Sequence, residues 1–263
     1  MELEIIRADP AGNITIFVLS PVEGREMRAA AAKALLADPA LQAEQVGFVL
    51  PPDGGGHWRL EMMGGEFCGN AARNFGLYIA GQNGLKGKHT LMIEISGAGQ
   101  PLPVYVDTEA GTAAVAMPGP LAETEIECAG RRFPVCVFEG ITHVIAEDTE
   151  PDEELLHSLL GCFEHHPDAL GVMFYDTKKR FMRPLVWVRA TASTVFESSC
   201  GSGSAALGVW AARHLRDGGE SLALAQPGGI IEVQVEKSEG SVRRLTIGGQ
   251  VSLSRVQCRH ISL

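Results

Sequence analysis

Two matching segments, each with a cysteine followed by a glycine, constrain the fold of this chain more than any other feature. Residues 66–73 read Glu-Phe-Cys-Gly-Asn-Ala-Ala-Arg, and residues 199–206 read Ser-Cys-Gly-Ser-Gly-Ser-Ala-Ala. In both, the cysteine directly precedes an apolar pattern with helical spacing, and the expected stop signals are Asn83-Gly84 and Gly218-Gly219. The sequence therefore predicts two helices that begin immediately after the two cysteines.

The start of a helix suits both a reactive thiol and a bound anion. Its backbone N–H groups lack helical partners and lie at the positive end of the helix dipole, which lowers a thiol pKa and attracts a carboxylate. Cys68 and Cys200 are therefore candidate thiolates. The candidate carboxylate donors are the backbone N–H groups of Gly69, Asn70, Gly201 and Ser202. If the two segments face each other, one amino-acid carboxylate is held with a sulfur on either side of its α-carbon.

Charge and hydropathy exclude several classes of partner. The 263 residues carry a net charge of −10, which argues against nucleic acid or an anionic membrane surface. No apolar run approaches the roughly 20 residues that a membrane span needs. The acidic start, Met1-Glu2-Leu3-Glu4, lacks a signal-peptide pattern. These features predict a cytoplasmic protein with a small-molecule substrate.

The six cysteines are scattered and include no Cys-x-x-Cys pair, so neither a disulfide framework nor a zinc site is predicted. A cysteine in such a protein is usually a small buried hydrophobic residue. We apply that interpretation to the four cysteines outside the helix-start segments, which are Cys128, Cys136, Cys162 and Cys258. Cys68 and Cys200 are interpreted as functional because both share the glycine-rich context.

The two halves of the chain resemble distant repeats, offset by about 130 residues. Each half has the predicted order of a strand, a helix, two strands and the helix that follows the cysteine. In the first half, the elements before the cysteine helix cover residues 13–19, 26–37 (the helix), 46–50 and 58–62. In the second half, they cover residues 141–146, 152–160 (the helix), 171–175 and 184–188. Strands and helices mix without strict alternation, so we expect an α+β fold with mostly antiparallel sheets.

Glycine and proline mark the predicted breaks between these elements. Residues 117–120 (Met-Pro-Gly-Pro) are the predicted domain linker. Gly54-Gly55-Gly56 is predicted to be a turn, because the Lys-Ser/Thr pair of a phosphate-binding loop does not follow it.

A pair of thiols suits the inversion of an amino-acid α-carbon. Inversion requires a base on one face and an acid on the other, and a thiolate and a thiol supply both and exchange roles in the reverse reaction. Hydrogen-bond donors must also stabilise the charge that develops on the carboxylate. No lysine stands in a motif that argues for pyridoxal phosphate, so neither a cofactor nor a metal is predicted.

The two cysteine segments resemble those of the cofactor-independent racemases related to diaminopimelate epimerase. The similarity covers nearly the whole chain and includes Pro-Ala-Gly-Asn at residues 10–13, Glu-Gln-Val-Gly-Phe at 44–48 and Gln-Pro-Gly-Gly at 226–229. Within that family, this pattern, with a glutamate three residues before the second cysteine, is most similar to the histidine racemases of staphylopine-type metallophore biosynthesis. The resemblance implies an isomerase that converts L-histidine to D-histidine for such a pathway.

The resemblance also implies a fold. Its expected form is two pseudo-symmetric domains, each a curved, mostly antiparallel sheet around a central helix, with the active site in the cleft between them. The domains are expected at residues 1–118, which carry Cys68, and at 119–249, which carry Cys200. A C-terminal strand at about residues 250–263 is expected to return to the first domain. A homodimer is implied as well.

Four further side chains are candidate substrate-binding groups. By their positions, the resemblance implies this role for Asn13, Gln45 and His143. The residues alone also allow a turn residue, a surface residue and a core histidine, respectively. Glu197 is expected to face the substrate amino group or to set the protonation of Cys200, although it could instead cap the helix.

The sequence departs from diaminopimelate epimerase where that enzyme holds its second carboxylate. Its Glu-Arg pair is replaced here by Thr191 and Ala192, nine and eight residues before the second cysteine. An unpaired second carboxylate is costly to bury, so a substrate with one carboxylate is favoured. Diaminopimelate epimerisation, or racemisation of another amino acid, is the alternative within this class. An amino-acid-binding protein or a thiol redox protein is the alternative outside it.

Overall fold

The computed structural model of the protein describes residues 1–52 and 58–262, and it divides into two compact units. Unit 1 comprises Met1–Ala116 and Gly248–Leu263, and unit 2 comprises Met117–Ile247. The turn predicted at Gly54-Gly55-Gly56 lies outside the described residues. Within the described ranges, every helix is too short or too polar to span a bilayer.

Four α-helices, eighteen strands and one short 3₁₀ helix make up the described secondary structure. In chain order they are β1 (Glu2–Asp9), β2 (Thr15–Val18), α1 (Arg25–Leu36), β3 (Gln45–Leu50), β4 (Trp58–Met62), α2 (Gly69–Gln82), β5 (Lys88–Ile95), β6 (Leu102–Asp107), β7 (Thr112–Ala116), β8 (Ala122–Cys128), β9 (Arg131–Phe138), β10 (Ile141–Glu147), α3 (Glu153–Cys162), β11 (Ala169–Asp176), β12 (Phe181–Val188), β13 (Ser193–Phe196), α4 (Gly201–Ala211), β14 (Gly218–Gln226), β15 (Gly229–Ser238), β16 (Ser241–Gln250), β17 (Ser252–Leu253) and β18 (Gln257–His260).

In unit 1, a parallel strand pair lies next to antiparallel ones. Strands β2 and β3 are parallel, with Thr15 opposite Gln45. Strand β1 pairs antiparallel with β2, and β3 pairs antiparallel with β4. The late strand β18 also pairs antiparallel with β1, with Leu3 opposite Arg259. The first and last strands of the chain are therefore neighbours in the sheet of unit 1.

Unit 2 repeats this order. Strands β10 and β11 are parallel, with His143 opposite Gly171. The pairs β8–β9, β9–β10, β11–β12 and β14–β15 are antiparallel. The expected α+β class with mostly antiparallel strands is confirmed.

Helices α2 and α4 are each largely buried within their own unit. A helix that is apolar on most sides requires cover on most sides. Each has a glycine at its point of closest approach to a strand: Gly76 lies against Val104 of β6, and Gly208 lies against Val233 of β15. A Cβ atom at either glycine would overlap the valine side chain, so glycine is what allows the helix to lie so close to the sheet.

Helices α1 and α3 each bury one face. The buried residues of α3 are Leu156, Leu159 and Leu160, which share one side of the helix and join the core of unit 2. The helix begins at Asp152, whose carboxylate accepts a hydrogen bond from the Glu154 N–H at 2.9 Å. The predicted helices at residues 26–37 and 152–160 are thus confirmed to within two residues.

The structure corrects the predicted end of the second cysteine helix. Helix α4 ends at Ala211, and Gly218 and Gly219 begin strand β14 instead. A short 3₁₀ turn, Ala212–His214, follows α4. There the Arg213 side chain donates a hydrogen bond to the Trp210 carbonyl at 2.8 Å and so satisfies a terminal acceptor of the helix.

Candidate active site

Cys68 occupies the N-cap position of α2. Its backbone is extended, with φ −128° and ψ 108°, and its sulfur accepts a hydrogen bond from the Ala71 N–H at 3.4 Å. Gly97 packs against the backbone of Phe67, the residue directly before Cys68. Its φ is +73°. A side chain at position 97 would not fit, so this close contact depends on glycine.

Gln45, at the start of β3, contacts the Cys68 sulfur. The thiol donates a hydrogen bond to the Gln45 side-chain carbonyl at 3.0 Å. Parallel pairing of β2 with β3 places this glutamine opposite Thr15, so the contact depends on the sheet register. In this orientation the amide favours the protonated thiol. A 180° rotation of the amide would present its N–H groups to a thiolate.

A directional chain of hydrogen bonds runs beside this contact. Arg73 Nε donates to Asn70 Oδ1 at 3.2 Å. Asn70 Nδ2 then donates to Asn13 Oδ1 at 3.3 Å. Asn13 Nδ2 in turn donates to Glu44 Oε2 at 2.7 Å. Asn13, Asn70 and Arg73 are all buried, so the chain fixes which way each amide points.

Cys200 occupies the matching N-cap position of α4. Its backbone has φ −123° and ψ 113°, and its sulfur accepts a hydrogen bond from the Gly203 N–H at 3.4 Å. The Ser202 hydroxyl lies 3.6 Å from the same sulfur. The two cysteines thus have the same local geometry, one in each unit.

Gln226 and Ser204 hold the backbone of Cys200. The Cys200 N–H donates to the Gln226 side-chain carbonyl at 2.8 Å, and the Ser204 hydroxyl donates to the Cys200 carbonyl at 2.6 Å. The Gln226 amide also donates to the Ser204 hydroxyl at 2.9 Å, which closes the network. Neither side chain was predicted from the sequence to have a role, although Gln226 lies in the Gln-Pro-Gly-Gly segment that carries the family resemblance.

His143 is fully buried and contacts the α4 start through Ser202. Its Nε2 lies 2.9 Å from the Ser202 hydroxyl. Its Nδ1 is buried and has no hydrogen-bond partner among the described atoms. Burial lowers the pKa of His143 from 6.5 to about 3, so the ring is neutral at physiological pH.

The pKa values of both thiols contradict the expectation from a helix start. Burial, with a smaller contribution from the charge of Glu66, raises the pKa of Cys68 to about 11, against the lowering effect of the Ala71 N–H. Burial also raises the pKa of Cys200 well above its ordinary value, and the charge of Glu197 adds to this. The prediction that the helix start lowers these pKa values was wrong, because the loss of hydration outweighs the donated hydrogen bonds.

The structure gathers the candidate residues into two groups. In unit 1, hydrogen bonds join Cys68 to Gln45 and join Asn13 to Asn70, and Gly69 is buried at the first position of α2. In unit 2, Ser202 links His143 to Cys200, Glu197 acts on the same sulfur, and Gly201 is buried at the first position of α4.

The structure also places Thr191, Ala192 and the four cysteines outside the helix-start segments. Thr191 and Ala192 lie in an exposed turn between β12 and β13. Among the other cysteines, Cys128 and Cys136 are buried, as predicted. Cys162 and Cys258 are exposed, so that prediction was wrong for them. Cys162 is the last residue of α3, and Cys258 lies in the short strand β18. At both positions the apolar pattern of the sequence no longer indicates burial.

Comparison with known proteins adds two findings at the level of sequence. The family model described as the histidine racemase CntK N-terminal domain matches residues 2–256. A histidine racemase of Fusobacterium nucleatum subsp. nucleatum (strain ATCC 23726 / VPI 4351) is 31% identical over 247 residues, covering 90% of this chain and 91% of the relative. A histidine racemase of Staphylococcus aureus (strain Mu50 / ATCC 700699) is 27% identical over 261 residues, covering 95% and 94%.

The comparison of structures gives the same fold. A hydroxyproline epimerase from Agrobacterium vitis, solved with bound trans-4-hydroxy-L-proline, aligns with a TM-score of 0.63 at 13% identity, covering 98% of this chain and 92% of that one. At this identity the match concerns the fold only. The sequence matches, together with the shared fold, show that the chain belongs to the histidine racemase CntK family and is an isomerase of the racemase and epimerase class.

Proposed function

We propose that this protein is a cofactor-independent racemase that interconverts L-histidine and D-histidine, with Cys68 and Cys200 as its two acid–base groups. The observation that carries the proposal is the matched geometry of the two cysteines. Each is an N-cap residue with an extended backbone, and each sulfur accepts a hydrogen bond at 3.4 Å from the backbone N–H three residues further along the chain. The relatives named histidine racemase support the choice of substrate.

In the proposed reaction, one thiolate removes the α-proton and the other thiol delivers a proton to the opposite face of the α-carbon. The backbone N–H groups at the helix starts bind the α-carboxylate and stabilise the charge that it gains. The reverse reaction uses the same groups with exchanged roles. No metal or cofactor takes part in the proposed steps.

Gln45 and Ser202 have matching roles in this scheme. Each is a neutral group next to one sulfur that can both donate and accept a hydrogen bond. A two-base racemase needs each sulfur in both protonation states during a catalytic cycle. We infer that the Gln45 amide and the Ser202 hydroxyl reorient with the proton, and that neutral His143 holds the hydroxyl in place.

The exposed turn at Thr191 and Ala192 supports a substrate with one carboxylate. Neither side chain carries a charge that would bind a second carboxylate. Burying a polar group without a hydrogen-bond partner costs about 1–3 kcal/mol, and a charged group costs more. The imidazole of histidine avoids that cost, in contrast to the distal carboxylate of diaminopimelate.

In the direct test, purified protein is incubated with L-histidine in deuterated buffer. The loss of optical rotation, the ratio of enantiomers by chiral chromatography and the deuterium content at the α-carbon are then measured. We expect conversion to an equal mixture of enantiomers from either side, with deuterium gained by the product. A panel with L,L-diaminopimelate, L-lysine and L-proline measures selectivity. Absence of histidine turnover, together with turnover of another member of the panel, would refute the substrate assignment.

We further propose a cytoplasmic homodimer that supplies D-histidine for metallophore biosynthesis. A reducing compartment suits a mechanism with two free thiols, and all six cysteines are free in the structure. Light scattering after size-exclusion chromatography measures the assembly, and cell fractionation measures the location. Deletion of the gene should stop metallophore secretion, and added D-histidine should restore it.

A further inference from the structure

Arg73 is a fully buried arginine of α2 that takes no part in the proposed steps. A guanidinium keeps its proton in a protein, so burying it is costly unless its N–H groups find acceptors. The acceptors that it has found therefore indicate which parts of the structure it holds in place.

The guanidinium of Arg73 donates to backbone carbonyls of two segments that are far from it in sequence. Its Nη2 donates to the Pro10 carbonyl at 2.9 Å. Its Nη1 donates to the Gly249 and Gln250 carbonyls, at 3.2 Å each, where strand β16 ends. All of these residues belong to unit 1. Pro10 begins the loop that leads to Asn13, so the first of these bonds fixes that loop against α2.

The loop before Asn13 has a backbone conformation that needs support from outside. Ala11 has φ +80°, in the left-handed region that is strained for a residue other than glycine. Gly12 follows with φ +88°, and its N–H donates to Asp9 Oδ1 at 2.7 Å. Asn13 comes directly after these two residues, so the position of its side chain depends on the contacts that hold the loop, including the one from Arg73.

The side-chain hydrogen bonds that lead from Arg73 to Asn13 have a fixed direction. Arginine can only donate, so Asn70 turns its carbonyl oxygen towards the Arg73 Nε, at 3.2 Å. The Asn70 NH₂ group then donates to Asn13 Oδ1 at 3.3 Å. A carboxylate can only accept, and Glu44 at the far end accepts an N–H of Asn13 at 2.7 Å. The cation and the anion at the two ends therefore impose the same direction on both amides.

Because of this direction, the Asn13 amide offers an N–H to its surroundings and not a carbonyl oxygen. Its oxygen accepts from Asn70, and one of its two N–H groups donates to Glu44. The second N–H is a donor that suits an α-carboxylate, which gains charge as the α-proton leaves. A reversed amide would present an oxygen at that place and repel the same carboxylate.

We propose that Arg73 is a positioning residue for the racemase reaction, which acts through Asn70 to hold the Asn13 amide as a donor to the substrate carboxylate. This inference rests on the proposed function, in which an amino-acid carboxylate binds at the start of α2. Arg73 holds Asn13 in two ways, through the loop that carries its main chain and through the direction of its amide. In this scheme Arg73 contacts neither the substrate nor a reacting sulfur.

The first experiment follows the asparagine side chains by NMR in the absence of substrate. The chain contains four asparagines, so full-length protein with isotopically labelled asparagine gives four side-chain NH₂ signals. In Arg73→Lys, a single ammonium replaces the planar guanidinium and cannot reach the same set of oxygens. We expect hydrogen exchange of the Asn13 and Asn70 NH₂ groups to become faster by about tenfold or more. The NH₂ group of Asn83, the C-cap residue of α2, is the internal control and should keep its parental rate.

The second experiment measures steady-state racemisation of L-histidine. Because the carboxylate gains charge in the transition state, kcat of Arg73→Lys should fall by roughly 10–100-fold, while KM changes by less than about threefold. Asn70→Ala should show a similar loss of kcat, since it breaks the link to Asn13 but leaves the carbonyl acceptors of Arg73 and the backbone N–H groups of α2 in place. Arg28→Lys is the matched control. Arg28 donates to the Val22 carbonyl at 3.3 Å, and its replacement should leave kcat at the parental value.

A double-mutant cycle separates positioning from a purely structural role. In the Asn13→Ala background, Arg73→Lys should lower kcat by less than about twofold, because the group that it positions is gone. Its cost to the free energy of unfolding should persist in both backgrounds. Additive losses of kcat, parental kcat in Asn70→Ala, or parental amide exchange in Arg73→Lys would each overturn the proposal. If the parent protein racemises no amino acid, the proposed function fails, and the amide exchange still decides whether Arg73 sets the direction of the amides.

Discussion

At Cys68 and Cys200, two effects oppose each other: the helix N-terminus lowers the pKa of the thiol, and burial raises it. A helix N-terminus stabilises a negative charge by about 0.3–1 kcal/mol, and by about 2 kcal/mol in favourable buried cases. The pKa of Cys68 rises from 9.0 to about 11, which corresponds to about 3 kcal/mol against the thiolate. Burial therefore exceeds the contribution of the helix, and the sulfur rests as a thiol at neutral pH.

The raised pKa values predict that racemisation accelerates with pH. Below a pKa of about 11 the thiolate fraction of Cys68 rises with increasing pH, about tenfold per unit, and the pKa of Cys200 is raised in the same direction. The partner thiol stays protonated over this range and can still act as the acid. We expect kcat/KM to increase from pH 6.5 to 8.5, while far-UV circular dichroism stays constant. A flat or falling profile would contradict thiolate formation as the limiting ionisation.

Single substitutions of the two cysteines test their roles. A serine hydroxyl is far less acidic than a thiol, so Cys68→Ser and Cys200→Ser should each lower kcat/KM for racemisation by roughly 10²–10⁴-fold. The matched control is Cys258→Ser, which removes an exposed thiol in unit 1 and should leave the rate unchanged. Full racemisation by either active-site variant, measured by chiral chromatography and α-deuteration, would rule out the two-thiol scheme.

At the scale of elements, the two cysteine helices pack against their sheets in the same way, through a glycine. Gly76 and Gly208 each stand eight residues after the cysteine of their segment. Each lies where the helix meets a valine of a neighbouring strand, Val104 or Val233. The equivalent position of these glycines supports an origin of the two halves from a repeat, and it sets how closely each cysteine helix approaches its sheet.

Two alanine substitutions in α2 separate packing from helix propensity. Gly76→Ala places a methyl group against Val104, so we expect a loss of about 1–3 kcal/mol in the free energy of unfolding. Gly81→Ala, in the same helix with no atom near its Cβ position, should instead gain about 0.5–1 kcal/mol. Urea unfolding measures both. If the two variants change stability in the same direction, the close approach at Gly76 does not control packing.

At the scale of the whole molecule, buried His143 makes stability depend on pH. Its folded-state pKa of about 3 lies below the unfolded value of 6.5, so the unfolded chain binds the proton more tightly. The stabilising contribution is fully present above pH 6.5 and is lost as the pH falls from 6.5 towards 3. Over that window the free energy of unfolding should fall by up to about 1.4 kcal/mol per pH unit from this residue.

His143→Gln tests this linkage. Glutamine can still hydrogen-bond to Ser202 but does not titrate, so the variant should lose less stability than the parent between pH 6.5 and 5 in urea unfolding. Exposed His260→Gln is the control and should retain the parental slope. If the free energy of unfolding falls equally with pH in His143→Gln and in the parent protein, the buried ring does not set the acid sensitivity.

Much of the fold could be predicted because its signals are local. Apolar periodicity and stop residues located α1, α3 and the start of both cysteine helices. Strand β8 was missed although glutamate stands at every second position, because six of its seven residues are exposed or partly exposed and only its last residue, Cys128, is buried. The wrong helix end at Gly218-Gly219 has a similar cause: glycine can end a helix or begin a strand, and only neighbouring strand β15 decides between them.

The sequence by itself determined where the two cysteine helices begin and which family the chain resembles, because both depend on residues adjacent in the chain. Only the tertiary structure decided the protonation of the two thiols, because burial is set by residues far apart in sequence. The same holds for the Gln45 contact with Cys68, which depends on the register of β2 and β3. Local pattern specifies the elements, whereas long-range packing sets the chemical state of the groups they carry.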